Sequence, residues 1–247
     1  MEEIFRSLNL FNDKYDGVII DGSAIPEDLM EFEEELACLI NYLQEKKLLW
    51  IKLDISQSYY IPLLTRYDFV FHHCNEKDIT LVKKLINDPI IPTAMNHTLG
   101  VGAVVIEDNK LLVIKDRIWQ KYKLPGGHID DRENISTALL REVLEETGIR
   151  VEFESIVSLG HFSPGQFNES NLYVVCRARA LSKEIHIQDK NEIIEARWLD
   201  LNEYLSCEDV HPYNKNLVQN ALRSGGFKID TTEDLITKDD VEYELFS

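Results

Sequence analysis

Apolar residues recur with two different periods along residues 1–92, and this pattern predicts alternating strands and helices. Short apolar runs at Gly17–Ile20, Leu48–Leu53 and Phe69–His73 predict three strands. A helix is expected to open at Pro26, since proline suits the first helical turn. Helical spacing then continues through Leu29, Phe32, Leu36, Leu39, Ile40 and Leu43. With a second helix expected over Ser58–Arg66, this part predicts a small β-α-β-α-β domain.

The segment Asp88-Pro-Ile-Ile-Pro-Thr predicts a domain boundary. Two prolines so close together stop a helix and interrupt a strand ladder. We therefore predict an N-terminal α/β domain over residues 1–92, a second domain over 93–225 and an acidic C-terminal tail over 226–247.

Beyond the boundary, the hydrophobic pattern becomes rich in strands. Leu99–Ile106 and Lys110–Ile114 flank Glu107-Asp-Asn, which predicts a hairpin turn. Further strands are predicted at Val151–Leu159, Leu172–Ala180 and Ile193–Leu199, followed by a helix over Asn214–Leu222. Near the C-terminus, Val241-Glu-Tyr-Glu-Leu alternates as an edge strand would, so a docked strand and a loose tail both remain open.

The net charge of −18 limits the classes of partner. Nucleic acids and anionic membranes are bound mainly through Lys and Arg, so we expect neither as a partner. A phosphate-containing small molecule would instead need a cation to bridge it to the protein. The four scattered cysteines form no C-x-x-C pair, and the N-terminus lacks a signal-peptide pattern. Both features favour a cytoplasmic protein with reduced thiols.

The segment from Gly127 to Ile149 carries the chemistry. Asn134 is a candidate N-cap and Gly148 a candidate C′ residue for a helix over about 135–147. On this helix Glu142, Glu145 and Glu146 are spaced i, i+3 and i+4, so their carboxylates share one face. The apolar stripe lies on another face, at Ile135, Ala138, Leu139 and Val143.

Three clustered carboxylates repel one another, and a divalent cation reverses that penalty. Mg²⁺ takes a few carboxylate oxygens and keeps sites open for water and phosphates. The preceding turn, Pro125-Gly-Gly, lets the backbone approach a ligand closely. Taken alone, E-x-x-E-E is more often a solvated acidic face than a metal site.

The complete string changes that balance. Residues 127–149 match G-x5-E-x7-R-E-U-x-E-E-x-G-U, with U an aliphatic residue, at every specified position. This string resembles the Nudix box, and the family it marks cleaves nucleoside diphosphates linked to another moiety. The resemblance implies a Nudix α/β/α sandwich around a mixed sheet, in which the box forms a loop-helix-loop.

The resemblance also implies roles for individual residues. Metal ligands would be Glu142, Glu145, Glu146 and the carbonyl of Gly126 or Gly127. Glu142 would also be the base, Arg141 would orient it, and Glu133 would support the site. We therefore expect Mg²⁺, with Mn²⁺ as an alternative, and a catalytic set of Glu142, Arg141, Glu145 and Glu133.

Segments outside the box extend the likeness to two-part Nudix proteins. Trp50-Ile-Lys-Leu, Phe69-Val-Phe-His-His-Cys and Val113-Ile-Lys-Asp-Arg resemble an animal Nudix protein encoded antisense to a fibroblast growth factor gene. Plant ADP-ribose/NADH pyrophosphatases share part of this layout. The likeness covers most of residues 15–222.

Five further positions suggest substrate contacts or an additional metal ligand. Ser163-Pro-Gly-Gln-Phe-Asn-Glu169 resembles a stretch of ADP-ribose pyrophosphatases, which points to Pro164, Gly165 and Glu169; the plain alternative is a Pro-Gly turn. Glu192 is either an additional active-site carboxylate that binds metal or a solvated Glu at a strand end. Arg117 either contacts a phosphate or is an ordinary surface arginine.

The leading hypothesis is therefore an enzyme that hydrolyses ADP-ribose first and NADH second, by attack of metal-activated water. A hydrolase of modified nucleoside triphosphates is one alternative. A catalytically weak module that senses a ligand or binds a protein is another. The N-terminal domain would cover the site, mediate a homodimer or only stabilise its neighbour.

Overall fold

The computed structural model describes residues 2–164, 169–230 and 243–247. The chain forms two compact units, residues 1–95 and residues 96–247. No helix in the described part of the chain is long and apolar enough to cross a membrane. The four cysteines are free, and Cys176 is the buried one among them.

A mixed six-stranded sheet forms the first unit, in the order β1-β2-β3-β4-β6-β5. Only the β3–β4 pair is parallel among these described strands. The strands are β1 (Glu2–Phe5), β2 (Leu8–Asn12), β3 (Gly17–Asp21), β4 (Leu48–Asp54), β5 (Val70–Cys74) and β6 (Asp78–Lys84).

Two α-helices accompany this sheet, α1 (Leu29–Tyr42) and α2 (Ile61–Arg66). Phe32, Leu36 and Leu39 of α1 are fully buried, as the helical spacing predicts, whereas Leu29 at the start of the predicted stripe is 42% exposed. The predicted start at Pro26 is wrong. The helix begins at Leu29 because the Asp28 carboxylate accepts hydrogen bonds from the N–H groups of the first turn and ends the preceding extended segment.

The predicted β-α-β-α-β order is present as β3, α1, β4, α2 and β5. Ser58–Arg66, predicted as one helix, is divided between a 3-10 turn over Ile55–Tyr60 and α2. Strands β1, β2 and β6 were not predicted. They lie at the two ends of the β3-α1-β4 unit. Leu8, Leu10 and Leu81 of these strands are buried in the core of this unit, whereas Ile4 of β1 is 70% exposed.

The second unit is built on another mixed sheet, in the order β10-β11-β7-β8-β12, with β9 paired to β8. Strands β11 and β7 are parallel, and the other pairs are antiparallel. The strands are β7 (His97–Glu107), β8 (Lys110–Asp116), β9 (Tyr122–Lys123), β10 (Val151–Phe162), β11 (Ser170–Ala180) and β12 (Ile193–Asp200).

Helices cover both faces of this second sheet. Helix α3 (Ile135–Thr147) packs on the face that includes Val101, Ala103 and Val105. Helices α4 (Leu201–Ser206) and α5 (Pro212–Arg223) pack on the other face, where Val104 points. Alternate residues of β7 thus enter opposite cores, as the period of a strand requires. The expected α/β/α sandwich with a mixed sheet is confirmed.

Strands β7 and β8 form the predicted hairpin but soon separate. The turn residues Asp108 and Asn109 both have positive φ, 48° and 60°, which suits a two-residue hairpin turn. In the described register, β7 pairs with β8 at two positions: Ile106 lies opposite Leu111, and Glu107 lies opposite Lys110. Toward the N-terminal end of β7, the loop 125–129 takes the place of β8 as hydrogen-bond partner. This loop therefore lies within the sheet.

The C-terminal residues 243–247 lie against the second unit. Lys228 and Ser247 exchange two backbone hydrogen bonds of 2.9 Å each, and Phe227 does the same with Ile156 of β10 at 2.9 and 2.8 Å. The segment is therefore docked at residues 243–247. The predicted alternation from Val241 falls partly outside the described residues.

Candidate active site

Helix α3 presents the predicted carboxylates at the edge of the second core. Ala138, Leu139 and Val143 are fully buried and fix the rotation of the helix against the sheet. The helix ends at Gly148, whose φ of 75° is left-handed and whose N–H donates to the Leu144 carbonyl. This end confirms the sequence prediction.

The start of α3 agrees with the predicted boundary, and only the capping contact differs. Asn134 occupies the N-cap position, but its side chain makes no capping hydrogen bond to a described residue. The Ser136 N–H donates instead to the Glu244 carboxylate, at 3.3 Å to either oxygen. A carboxylate from the C-terminal segment thus lies at the positive end of this helix.

The glycine turn fixes the loop against the helix. The Gly126 N–H donates to Glu146 Oε2 at 2.7 Å, and Gly126 has a φ of 144°. A Cβ at Gly126 would lie 2.1 Å from the Val101 carbonyl oxygen, so only glycine fits here. A Cβ at Gly127 would lie 2.7 Å from Oε1 of Glu142, which places that carboxylate directly against the loop.

Arg141 organises the carboxylates. Its Nε and Nη2 donate to the two oxygens of Glu133 at 2.9 and 2.8 Å, a bidentate pair. Nη1 donates to Glu142 at 2.8 Å and to Glu145 at 3.2 Å. Nη2 also donates to the His128 carbonyl at 3.0 Å. One guanidinium therefore orients three carboxylates and the loop.

Burial and mutual repulsion shift the pKa values of two carboxyls upward. Burial raises the pKa of Glu142. The charges of Glu145 and Glu192 raise this pKa further, and Arg141 opposes the shift. Burial also raises the pKa of Glu146 to about 8, against the Gly126 hydrogen bond and the charge of Lys123. Burial is therefore the main cause that disfavours the ionised form of both carboxyls.

The donor chemistry fits a hard divalent cation. All the side-chain donors are carboxylate oxygens, which Mg²⁺ and Mn²⁺ prefer. In the described residues, no three His, Cys, Asp or Glu side chains converge as a finished metal shell. The reason is visible in the geometry, because Arg141 holds oxygens of Glu142 and Glu145. The Glu145 side chain is 46% exposed and has room to turn toward an ion.

The charge of Glu192 acts on two carboxyls of this cluster, and Arg117 has a clear partner. Glu192 is exposed, yet its charge raises the pKa of both Glu142 and Glu146. Arg117 donates through Nη2 to the Lys190 carbonyl at 2.6 Å, and its backbone N–H donates to the Glu192 carbonyl at 2.9 Å. Arg117 thus ties the β8–β9 loop to the segment that carries Glu192.

A cavity of about 700 Å³ lies beside the glycine turn and shares Gly126 with it. Its lining is mostly aromatic and basic, from residues that sequence reasoning did not select. They come from four separate parts of the second unit: Trp119, Lys121, Tyr122 and Lys123; Phe162; Tyr173; and His211, Tyr213 and Asn214. The aromatic character of these positions was visible in the sequence, but nothing local indicated that they would meet.

The predicted Ser163–Glu169 stretch is placed only in part. Pro164 and Glu169 are exposed. Pro164 lies just after the end of β10, and Glu169 lies just before the start of β11. Among the described residues, neither contributes to the cavity lining, whereas the adjacent Phe162 does. Gly165 lies outside the described residues.

Comparison with known proteins gives consistent matches for both units. The NUDIX domain family matches residues 96–221, and a family described as Nudix hydrolase domain matches residues 8–85. Nudix hydrolase 8 of Arabidopsis thaliana is 32% identical over 208 residues, which are 80% of this chain and 56% of that protein.

Two further relatives show the same likeness. Nucleoside diphosphate-linked moiety X motif 6 of Homo sapiens is 34% identical over 74% of this chain and 61% of its own length. Nudix hydrolase 2 of Arabidopsis thaliana is 34% identical over 86% of this chain and 79% of its own length. The chain thus spans somewhat more than half the length of the first two relatives.

Proposed function

This chain belongs to the Nudix hydrolase family, and on that basis we propose that it hydrolyses the diphosphate linkage of a nucleoside diphosphate joined to another moiety. ADP-ribose is the first proposed substrate and NADH the second. The family resemblance expected from the box and from the segments outside it is confirmed by the relatives.

The observation that carries the proposal is the cluster of Glu142, Glu145 and Glu146 around the Gly126–Gly127 turn. Arg141 orients the first two of these carboxylates, and the loop N–H fixes the third. A solvated acidic helix face would not need a buried carboxylate, yet Glu146 is only 4% exposed. The arrangement supports a site built to concentrate negative charge around a cation.

We assign metal binding to Glu142, Glu145, Glu146 and a carbonyl of Gly126 or Gly127, with Glu192 as an additional ligand. Mg²⁺ is the proposed ion, and Mn²⁺ is the alternative. When bound, a divalent cation lowers the pKa of water and neutralises charge on phosphate oxygens. The Gly127 carbonyl already accepts a hydrogen bond from the Val101 N–H at 2.8 Å, which holds it in place within the sheet.

The remaining chemistry belongs to the side chains. Glu142 accepts the proton of the attacking water as a general base. Arg141 keeps one Glu142 oxygen fixed, which leaves the other free for this task. Glu133 holds Arg141 in turn. Arg117, Pro164 and Glu169 remain proposed contacts for the substrate, Arg117 through its phosphates.

The choice of a nucleotide-derived substrate is supported by two features. The name of the human relative refers to a nucleoside diphosphate linked to another moiety. The aromatic cavity beside Gly126 offers space for part of such a molecule next to the carboxylates.

The test is chromatographic detection of AMP from ADP-ribose, NADH, diadenosine polyphosphates and nucleoside triphosphates in the presence of Mg²⁺. Rapid AMP release from ADP-ribose is expected. In Glu142→Gln, turnover should fall by about 10²–10⁴-fold because a general base is lost. Glu154→Gln is the control, since Glu154 is an exposed glutamate on β10.

Other outcomes would point to the alternative functions. Release of a nucleoside monophosphate and inorganic pyrophosphate, from triphosphates only, would indicate the triphosphate hydrolase. Turnover of no compound would contradict the enzyme proposal and favour a sensing or protein-binding module. Unchanged turnover in Glu142→Gln would remove Glu142 from the catalytic role.

A further inference from the structure

We propose that His97 and His161 form a binding site for a divalent transition-metal ion, with Zn²⁺ as the expected ion. The Nε2 atoms of the two rings lie 3.0 Å apart, although the residues are 64 positions apart in the chain. Neither histidine belongs to the carboxylate cluster to which Mg²⁺ is assigned. The inference therefore does not depend on the proposed activity.

The second sheet brings the two histidines together across a strand. His97 begins β7 and lies opposite Ser170 of β11, whereas His161, near the end of β10, lies opposite Leu172 of that same strand. Strand β11 thus runs between them, and both side chains reach over it on one face. Phe162, the next residue of β10, lines the aromatic cavity, so the histidines lie on the opposite face of the sheet.

Asn96 decides which nitrogen of His97 is available to an ion. The Asn96 side-chain oxygen lies 2.7 Å from Nδ1 of His97, and an amide oxygen only accepts hydrogen bonds. Nδ1 therefore carries the proton of the neutral ring, and the bare Nε2 faces His161. Histidines that bind metals are commonly arranged in this way, with the other ring N–H donated to an oxygen.

The distance between the two nitrogens fits a bound ion. Zn–N bonds are about 2.0–2.1 Å long, and two of them that meet at about 90–110° place the nitrogens about 2.9–3.4 Å apart. In the free protein, the Nε2–H of His161 donates to Nε2 of His97. When an ion enters, this proton moves to Nδ1 of His161. Both rings then stay neutral, and both Nε2 lone pairs point at the ion.

His72 and His73 of β5 form a second imidazole pair with a different geometry. Their Nδ1 atoms are 2.7 Å apart, which is shorter than the range for two nitrogens on one zinc ion. Nε2 of His72 lies 2.7 Å from the Pro92 carbonyl oxygen. This pair has the chemistry of a hydrogen-bonded contact, and it provides a comparison with the same residue type at the wrong spacing.

The ligand atoms select the class of ion. Imidazole nitrogen suits Zn²⁺, Cu²⁺ and Ni²⁺, whereas Mg²⁺ prefers oxygen. Among the described residues, no third His, Cys, Asp or Glu joins the pair, so water completes the shell of the ion. Two protein ligands bind more weakly than the four of a structural zinc site. His97 and His161 are both exposed, so an ion enters directly from solvent.

The experiment follows the histidine rings by NMR while Zn²⁺ is added to the full chain. Mg²⁺ is present in excess to occupy the carboxylate cluster, and ring signals are assigned from single His→Gln variants. The signals of His97 and His161 should shift together at the lowest zinc concentrations, before those of His72, His73 and His186. Zinc that leaves the His97 and His161 rings unmoved, or that shifts His72 and His73 first, would overturn the proposal.

Matched variants test the two ligands. His161→Gln removes one ligand at an exposed position, so folding is preserved and zinc affinity at His97 should fall at least about tenfold. His73→Gln removes an exposed histidine from the comparison pair and should leave that affinity unchanged. Equal loss in the two variants, or no loss in His161→Gln, would contradict the site. The proposed hydrolase activity is measured separately, and its failure would leave the zinc result unchanged.

Asn96 has its own test as a positioning residue. Asn96→Ala removes the acceptor for the His97 Nδ1–H and should weaken zinc binding about tenfold, the usual effect of losing such a partner. Asn96→Asp keeps an acceptor oxygen at the same place and should retain the affinity of wild type. Loss in both variants, or in neither, would overturn the role of Asn96 in fixing the ring proton.

Discussion

The Gly126 N–H and the Glu146 carboxylate are joined by a hydrogen bond of 2.7 Å that connects the glycine turn to helix α3. Glu146 is 4% exposed, and the pKa of its carboxyl is raised to about 8, chiefly by burial. The same turn pairs with β7 through the Val101 N–H, which donates to the Gly127 carbonyl. Sheet, turn and helix are therefore held in one arrangement at the site.

Gly126→Ala should disrupt this arrangement. The new methyl would lie 2.1 Å from the Val101 carbonyl oxygen, at a φ of 144° that residues with a Cβ rarely adopt. We expect a loss of about 1–3 kcal/mol in the free energy of unfolding, together with loss of turnover. Urea denaturation and the AMP assay measure the two effects. Gly225→Ala is the control, because no atom lies within 4 Å of its Cβ position, and an equal loss there would contradict the assignment.

Arg141→Lys separates charge from geometry. Lysine keeps the positive charge but cannot make the bidentate contact with Glu133 while also donating to Glu142 and Glu145. Activity should fall about 10–100-fold, as for other residues that orient metal ligands. Arg179→Lys changes an exposed pair with Glu152 and should have no effect. Wild-type activity in Arg141→Lys would show that charge alone is sufficient.

Asp116 should stabilise the folded state at neutral pH, and this contribution should be lost at acid pH. Burial opposes its ionisation, but Lys123 and the N–H groups of Trp119 and Ile118 outweigh burial and hold the pKa below its usual value of 3.8. A lowered pKa in the folded state means stability that is present above 3.8 and lost as the pH falls through the folded value.

Asp116→Asn should therefore unfold more easily than wild type at pH 7, by about 1–3 kcal/mol, and the difference should shrink below pH 3.8. Chemical denaturation across this pH range provides the measurement. Asp108→Asn removes an exposed pair with Lys183 of 3.0 Å and should cost about 0–1 kcal/mol. A difference for Asp116→Asn that grows toward acid pH would contradict the assigned sign.

Glu244 should stabilise the start of helix α3. Its carboxylate accepts from the Ser136 N–H, and Asn134 supplies no such bond among the described residues. Glu244→Ala should lower the free energy of unfolding by about 0.5–1 kcal/mol, the usual value of a capping group or of a charge at a helix end. Glu154→Ala, an exposed glutamate on β10, tests whether loss of charge alone has this effect. Equal stability of wild type and Glu244→Ala would show that the contact contributes nothing.

The sequence by itself determined the parts of the protein that depend on local spacing. Helix α3 runs over the predicted residues because apolar positions recur with the helical period and Gly148 provides a left-handed end. The same spacing placed Glu142, Glu145 and Glu146 on one helix, and the alternation of apolar residues located β7, β8, β10, β11 and β12. The box string was specific enough to identify the family.

Only the tertiary structure decided which distant residues meet. Glu244 reaches Ser136 across the chain, and Phe162, Tyr173 and Tyr213 form one cavity although they lie on two strands and a helix. Pairing with neighbouring strands also fixes the positions of β1, β2 and β6 in their sheet. Hydrophobic periodicity records which face of an element is buried, but not which element covers it. That information depends on strand order and on the separation of β7 from β8, which are properties of the whole sheet.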